Sequence, residues 1–285
     1  MRPSLSGGRR GVSWPGDEKE TAACVRRSAA RIDPFGRNLH LFAEVGSTSD
    51  EIVRLADQGA PHGTVVVARA QTAGRGRHGN RWFSPSGSGL YLSALLRKPL
   101  APLLTLVTGV VVAETLREVV SLPVELEWPN DVVVMVDGQR RKVAGILAEN
   151  ATVRADGDSS RVVVGIGINL ADGAWPTELS GQAASVAGLT GVPVDADLLL
   201  VEVLAALASS VDALARGDTL GLCARWSRLA PSSAGTRVTW SGPQGRAEGT
   251  TVGIDADGAL LVRTEHGIER LTGGEVRHLR REKNQ

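Results

Sequence analysis

Cysteine is almost absent: Cys24 and Cys223 are the only two in 285 residues, far apart and in no C-x-x-C spacing. That excludes a disulfide-built scaffold and a cysteine-ligated metal knuckle, and it suits a reducing, cytoplasmic setting. The five histidines are scattered without the clustering a zinc site needs, so no metal ligands can be named. The formal net charge is only +1, so no global field argues for duplex DNA or a membrane surface. No apolar run reaches the ~18 residues of a membrane span. The most apolar stretch, 102–120, is broken by Thr105, Thr108, Gly109 and Glu114 and reads as a buried core helix. Residues 1–35 hold no continuous apolar segment of the kind a secretory signal requires. Being polar and arginine-rich, they read as a mostly disordered extension with a short helix near 21–30.

What is present divides in two. Residues 36–231 alternate strands and helices. Strands are expected at 38–45, 64–69, 90–96, 124–128, 132–136, 142–148 and 162–170, with a polar hairpin loop at 154–161. Asp137-Gly138 between two apolar runs is a strong hairpin signal. A helix is expected after residues 46–49, with Ser49 as its N-cap and Ile52, Val53, Leu55 and Ala56 as its apolar face. Further helices are expected at 195–216 and 219–229. After a break at 231–235 the pattern changes to short strands and tight turns, so residues 232–285 read as a small all-β barrel.

The stretch QTAGRGRHGNRW, residues 71–82, stands out at the end of the 64–69 strand. Glycine lets backbone turn sharply and approach a ligand, while arginine presents a planar fork matched to carboxylate and phosphate. The run contains a literal G-x-G-x-x-G, but a dinucleotide fingerprint needs a following helix and an acidic residue about 20 positions on. Here the glycines lead into NRWFSPSGSG, and no Asp or Glu stands between Asp57 and Glu114. The loop therefore reads as one that wraps a small anionic ligand, with a solvated basic loop as the plain alternative.

Three more polar words sit at the ends of apolar strands or within them: GST at 46–48, WPND at 128–131 followed by RKVAGIL at 141–147, and GIGIN at 165–169. Taken singly, each has an ordinary reading as a helix cap, a turn or a strand edge. Together, in this order and spacing, they resemble biotin protein ligases, and the small C-terminal β module fits the same family.

The resemblance implies an α+β fold: a class II aminoacyl-tRNA-synthetase/biotin-ligase-like catalytic domain, a mixed sheet with flanking helices, plus a small SH3-like β-barrel. It implies an ATP-dependent, AMP-forming ligase that converts biotin and MgATP to biotinyl-5′-AMP and passes the acyl group to a lysine of a biotin carboxyl carrier domain. By similarity, Arg77, Lys142 and Asp131 serve catalysis, Asp131 orienting or accepting the incoming amine. Ser47, Thr48, Gln71, Gly74, Arg75, Trp82, Lys142 and Gly145 would meet biotin. Arg75, Arg77, His78, Asn130 and Asn169 would meet ATP. The 74–81 loop is expected to order on the ligand and exclude water from the mixed anhydride.

The chain departs from the family at Ser49, where Asn is usual, and at Glu127, where Lys usually precedes WPND. Glu127 bears on any phosphate contact borrowed from that lysine. Residues 1–35 are too short for the winged helix-turn-helix some members carry, so no DNA binding is expected; homodimerisation is left open. The rival readings are a lipoate or octanoate ligase, a non-catalytic biotin or nucleotide sensor, and a DNA-binding regulator.

Overall fold

The computed structural model describes residues 18–97, 103–151, 161–173, 175–242 and 245–278. In chain order it places α1 (Glu18–Arg27), β1 (Leu39–Phe42), α2 (Thr48–Asp57), β2 (Val65–Ala68), β3 (Gly89–Leu96), α3 (Leu104–Val120), β4 (Glu125–Glu127), β5 (Asp131–Val136), β6 (Gln139–Ala151) and β7 (Arg161–Asn169). Then come α4 (Val186–Thr190), α5 (Ala196–Ala215), α6 (Thr219–Leu229), β8 (Ala234–Gly242), β9 (Gly245–Ile254), β10 (Leu260–Thr264), β11 (Gly267–Leu271) and β12 (Val276–His278).

β1 to β7 form one mixed sheet in the order β1-β2-β3-β7-β6-β5-β4, parallel only between β1 and β2. The period of two in its central strands assigns the two faces. Val162, Val164, Ile166 and Ile168 of β7, with Leu90, Leu92 and Leu96 of β3, join the main core under α3 and α5. The alternate residues Leu95 and Val163 pack under α2 with Ile52 and Ala56. Gly165, Gly167 and Ser93 share that second face beyond the end of α2, where the sheet is left without a helix. α5 has a mean hydropathy of 2.0, yet over half of the window is buried, so it serves as a core helix.

The Asp137-Gly138 turn forms as expected: Val136 pairs with Gln139, and both turn residues have positive φ, 50° and 71°. Two expectations are corrected. Residues 18–35 are ordered against the core, because Val25, Ile32 and Phe35 are buried in it. Thr21 Oγ1 donates to Asp197 at 2.7 Å, and Arg31 forks onto Glu202 at 2.9 and 2.7 Å. Residues 1–17 and, but for Arg161, the polar loop expected at 154–161 lie outside the described residues; Arg161 itself is 7% exposed and opens β7. The N-cap of α2 is Ser47, not Ser49; the Ser49 hydroxyl faces Ser93 Oγ at 3.1 Å instead.

β8 to β12 make a five-stranded antiparallel sheet in the order β11-β10-β9-β8-β12. It docks on the first module. Trp128 Nε1 donates to Gly258 O at 3.0 Å. Gly258 sits so close to α3 that a Cβ there would meet Leu106 at 2.7 Å and Leu103 at 2.9 Å.

Candidate active site

The uncovered sheet face, the 71–82 loop, the β4–β5 turn and the start of β12 enclose a cleft of about 1120 Å³. At one end a buried polar network fixes the helix start. Gln71 Oε1 accepts from Thr48 N at 2.8 Å and Thr48 Oγ1 at 3.1 Å, and Gln71 Nε2 donates to Ser84 Oγ at 2.8 Å. Thr48 Oγ1 lies 2.8 Å from Ser93 Oγ. Ser93 and Ser84 were not singled out from sequence; a lone serine inside the apolar 90–96 run was the available signal.

The 71–82 loop is an internally bonded hairpin. Gly76 N donates to Asn80 O at 2.8 Å and Trp82 N to Gly74 O at 2.9 Å, with His78 in the left-handed region at the tip. This explains Gly74: a Cβ there would meet Trp82 O at 2.5 Å. Its smallness serves the loop's own closure, and it does not line the cleft as the resemblance implied.

Trp82 lies on the bare sheet face. A Cβ on Gly167 would sit 2.5 Å from its indole, and one on Gly145 would sit 2.9 Å away. The two glycines are cross-strand partners, so together they form a flat patch on which the indole packs directly. Lys142 Nζ stands 5.2 Å from the ring centroid, a cation–π distance, and 2.6 Å from Asp131 Oδ1. Burial pushes the Asp131 carboxyl up from the usual carboxylate range, and Lys142 pulls it back.

Gly167→Ala is expected to cost about 1–3 kcal/mol by driving the indole off the sheet. Urea unfolding would read this, and the penalty should largely vanish in a Trp82→Ala background. An equal cost in both backgrounds would mean that the indole is not what Gly167 accommodates.

The cationic arm begins at Lys142 and runs toward the loop. Arg77 Nη1 donates to Asn130 Oδ1 at 3.2 Å, and burial draws the Arg77 guanidinium down from its ordinary value against the pull of Asp131. The other end of the Asn130 amide donates to Ile146 O at 3.0 Å. Arg75 bridges Asp50 at 2.6 Å and Glu149 at 2.7 Å at the cleft edge. Asn169 is 4% exposed, stands behind the residues that line the cleft, and donates to Lys142 O at 3.2 Å. It props the backbone behind Lys142. Ser47, Thr48, Gln71, Arg75, Arg77, His78, Trp82, Asn130, Asp131, Lys142 and Gly145 all line the one cleft.

Residues 274–278 of the C-terminal module also line it, which the sequence did not reveal. His278 Nε2 contacts the carboxylate of Glu127, the residue at which the charge departs from the family pattern.

Residues 44–169 match the model of the biotin/lipoate A/B protein ligase family, and residues 235–279 match that of the biotin protein ligase C-terminal domain. The chain is 30% identical to a biotin–[acetyl-CoA-carboxylase] ligase of Mycobacterium tuberculosis, over 86% of this chain and 90% of that one. It is 31% identical to the bifunctional ligase/repressor BirA of Bacillus subtilis, over 94% and 82%. The chain belongs to the biotin protein ligase family. A solved biotin protein ligase from Aquifex aeolicus, in complex with biotin and ATP, superposes with a TM-score of 0.72 at 32% identity, covering 86% of this chain and 99% of that one. Both modules of the family are thus present, and the words that carried the resemblance lie around one cleft.

Proposed function

We propose that this chain activates biotin with ATP to biotinyl-5′-AMP and transfers the biotinyl group to a lysine of a biotin carboxyl carrier domain. The observation that carries the reading is the junction at Lys142. There, the Trp82 indole, seated on the flat glycine patch and lining the cleft as an apolar face for a ring system, meets a cationic arm suited to a phosphate chain.

The Thr48–Gln71–Ser84 network supplies the polar contacts at the ring end. Lys142 holds the biotin carboxylate at the α-phosphorus, and Arg77 offsets the charge that builds as the carboxylate oxygen attacks and pyrophosphate leaves. In the second step the lysine amine attacks the acyl carbon and AMP departs. Asp131, its proton affinity raised by burial, takes the amine's proton.

Among the described residues no group of three or more His, Cys, Asp or Glu side chains could hold a metal ion. Mg²⁺ would therefore be held chiefly by the nucleotide's own phosphates, with the cleft carboxylates Glu127, Asp131 and Glu275 available to it, rather than in a protein cage. Bound there, it would neutralise the leaving pyrophosphate. The repressor half of the Bacillus relative's name is not carried over, since a net charge of +1 supplies no field for DNA. Two unpaired cysteines support a cytoplasmic location.

Pyrophosphate release from MgATP is expected with biotin and not with lipoate or without an acid. Release with lipoate would transfer the reading to the rival ligase. Tight biotin binding without release would make the chain a sensor.

A further inference from the structure

We infer that Ser49, through a hydroxyl whose proton is already committed inside the protein, is a specificity-determining residue that accepts an N–H from the ring of the acid substrate. This rests on the ligase reading of the cleft and deepens it at the ring end.

The positions of the heavy atoms dictate where each proton lies. Thr48 N–H donates at 2.8 Å to one end of the Gln71 amide, so that end is the oxygen. The other end, Nε2, donates to Ser84 Oγ at 2.8 Å, and Ser84 in turn donates to Trp82 O at 3.1 Å. Gln71 Oε1 can only accept, so the Thr48 hydroxyl, 3.1 Å away, turns its one proton onto it. Thr48 Oγ1 then has no proton left for Ser93 Oγ at 2.8 Å, and Ser93 donates to it. Ser93 has none left for Ser49 Oγ at 3.1 Å, and Ser49 donates to Ser93. The relay from Ser49 through Ser93 and Thr48 to Gln71 therefore runs one way. It leaves Ser49 Oγ with lone pairs and no free proton.

That oxygen borders the ligand space. Ser49 is only 5% exposed, yet it lines the cleft with Leu147 and Gly165. A Cβ on Gly165 would sit 3.1 Å from Ser49 Oγ and 3.6 Å from Ser93 Oγ, so the hydroxyl overhangs the uncovered face of β7. Ser93 is fully buried behind it. A buried oxygen that can only accept is poorly matched to a carbonyl or a carboxylate and well matched to an N–H. Gln71 Oε1 already accepts twice from Thr48 and is not available as that acceptor. The N-cap residue Ser47 makes no side-chain cap bond and can turn its proton either way, so it does not discriminate in this manner.

The substrate chemistry follows from that polarity. The cyclic urea of biotin carries two ring N–H groups, whereas the dithiolane ring of lipoate carries none. An acceptor held in this polarity pairs with the first ring and is left buried and unpaired by the second, which is the stronger form of discrimination. Position 49 is also where the chain departs from the asparagine usual in the family. An asparagine amide offers both a donor and an acceptor; here Ser93 imposes a single polarity on Ser49.

The test is calorimetry with biotin and with biotin methylated on either ring nitrogen, on wild type and Ser49 variants. Ser49→Ala is expected to weaken biotin about tenfold. KM for MgATP at saturating biotin should stay within about twofold, since no nucleotide group is touched. One of the two methylated acids should bind wild type far more weakly than biotin does, and that penalty should shrink several-fold in Ser49→Ala. Ser49→Cys keeps the volume with a poor acceptor and should lose biotin affinity as Ser49→Ala does. Ser93→Ala, which frees the Ser49 proton, should weaken biotin by about a few-fold although Ser93 touches no ligand. Biotin affinity within about twofold of wild type in both Ser49 variants would overturn the assignment. So would a methylation penalty equal in wild type and Ser49→Ala, a comparison that a packing defect does not move. A wild type that binds no biotin would remove the ligase reading and this one together, whereas biotin binding that ignores Ser49 removes this one alone.

Discussion

Lys142→Ala is expected to lower the rate of biotin-dependent pyrophosphate release by about 10²–10³-fold while biotin affinity falls much less. The asymmetry follows from where the ammonium stands. It lies at the edge of the Trp82 indole, 5.2 Å from the ring centroid, so the ring-binding end of the cleft is built from other groups. Those groups are Thr48, Gln71 and the Trp82 indole, and neither Thr48 nor Gln71 depends on Lys142 for its hydrogen bonds. The charge that Lys142 offsets is greatest when carboxylate and α-phosphate are forced together, which is a feature of the transition state and not of bound biotin. The substitution also strips Asp131 of its ion-pair partner at 2.6 Å, leaving a buried carboxyl to take up a proton. Asp131→Asn in the same background should therefore restore folding stability without restoring rate. Stopped-flow pyrophosphate release and biotin calorimetry on the two variants would decide this. A rate within a few-fold of wild type would remove Lys142 from the chemistry.

Phe35→Ala is expected to destabilise the fold by about 3–5 kcal/mol, a large share of the ~5–15 kcal/mol that holds a typical domain. Phe35 is fully buried in the main core, and its ring meets His62 at 6.2 Å between centroids. Its neighbour Pro34 fills the space beside Gly63, where a Cβ would come within 2.7 Å of the proline ring. Residues 34–35 thus wedge under the approach to β2, the strand that leads into the 71–82 loop. Urea unfolding should show a lower midpoint with an unchanged slope. An unchanged midpoint would return residues 18–35 to the disordered extension that composition alone suggested. A weaker loss of biotin affinity, secondary to strain on β2, should accompany the change.

The residues that misled the reading at the N-terminus show why. Val25, Ile32 and Phe35 are spread among arginines and polar residues, so no local periodicity marks them as core. α1 and the residues after it are held against α5, 176 residues along the chain at Thr21–Asp197 and 171 at Arg31–Glu202. The Asp137-Gly138 hairpin was legible because its signal is short-range, a left-handed turn pair, and α6 spans the 219–229 expected of it. Asn169 and Gly74 both stood out in the sequence as part of the motif words. Each is constrained by close protein contacts, and only the coordinates show that those contacts are Lys142 O and Trp82 O.

By itself the sequence determined the two-part organisation, the strand and helix order, and the motif words whose residue types suit a carboxylate and a nucleotide. Those depend on backbone preference, side-chain period and functional-group chemistry, which act within a few residues along the chain. Tertiary structure decided which face of the sheet stays bare, that Trp82 roofs the glycines of β6 and β7, and that β12 brings His278 onto Glu127. Those outcomes depend on which distant surfaces bury each other, and a buried charge must find its partner there wherever the partner lies in sequence.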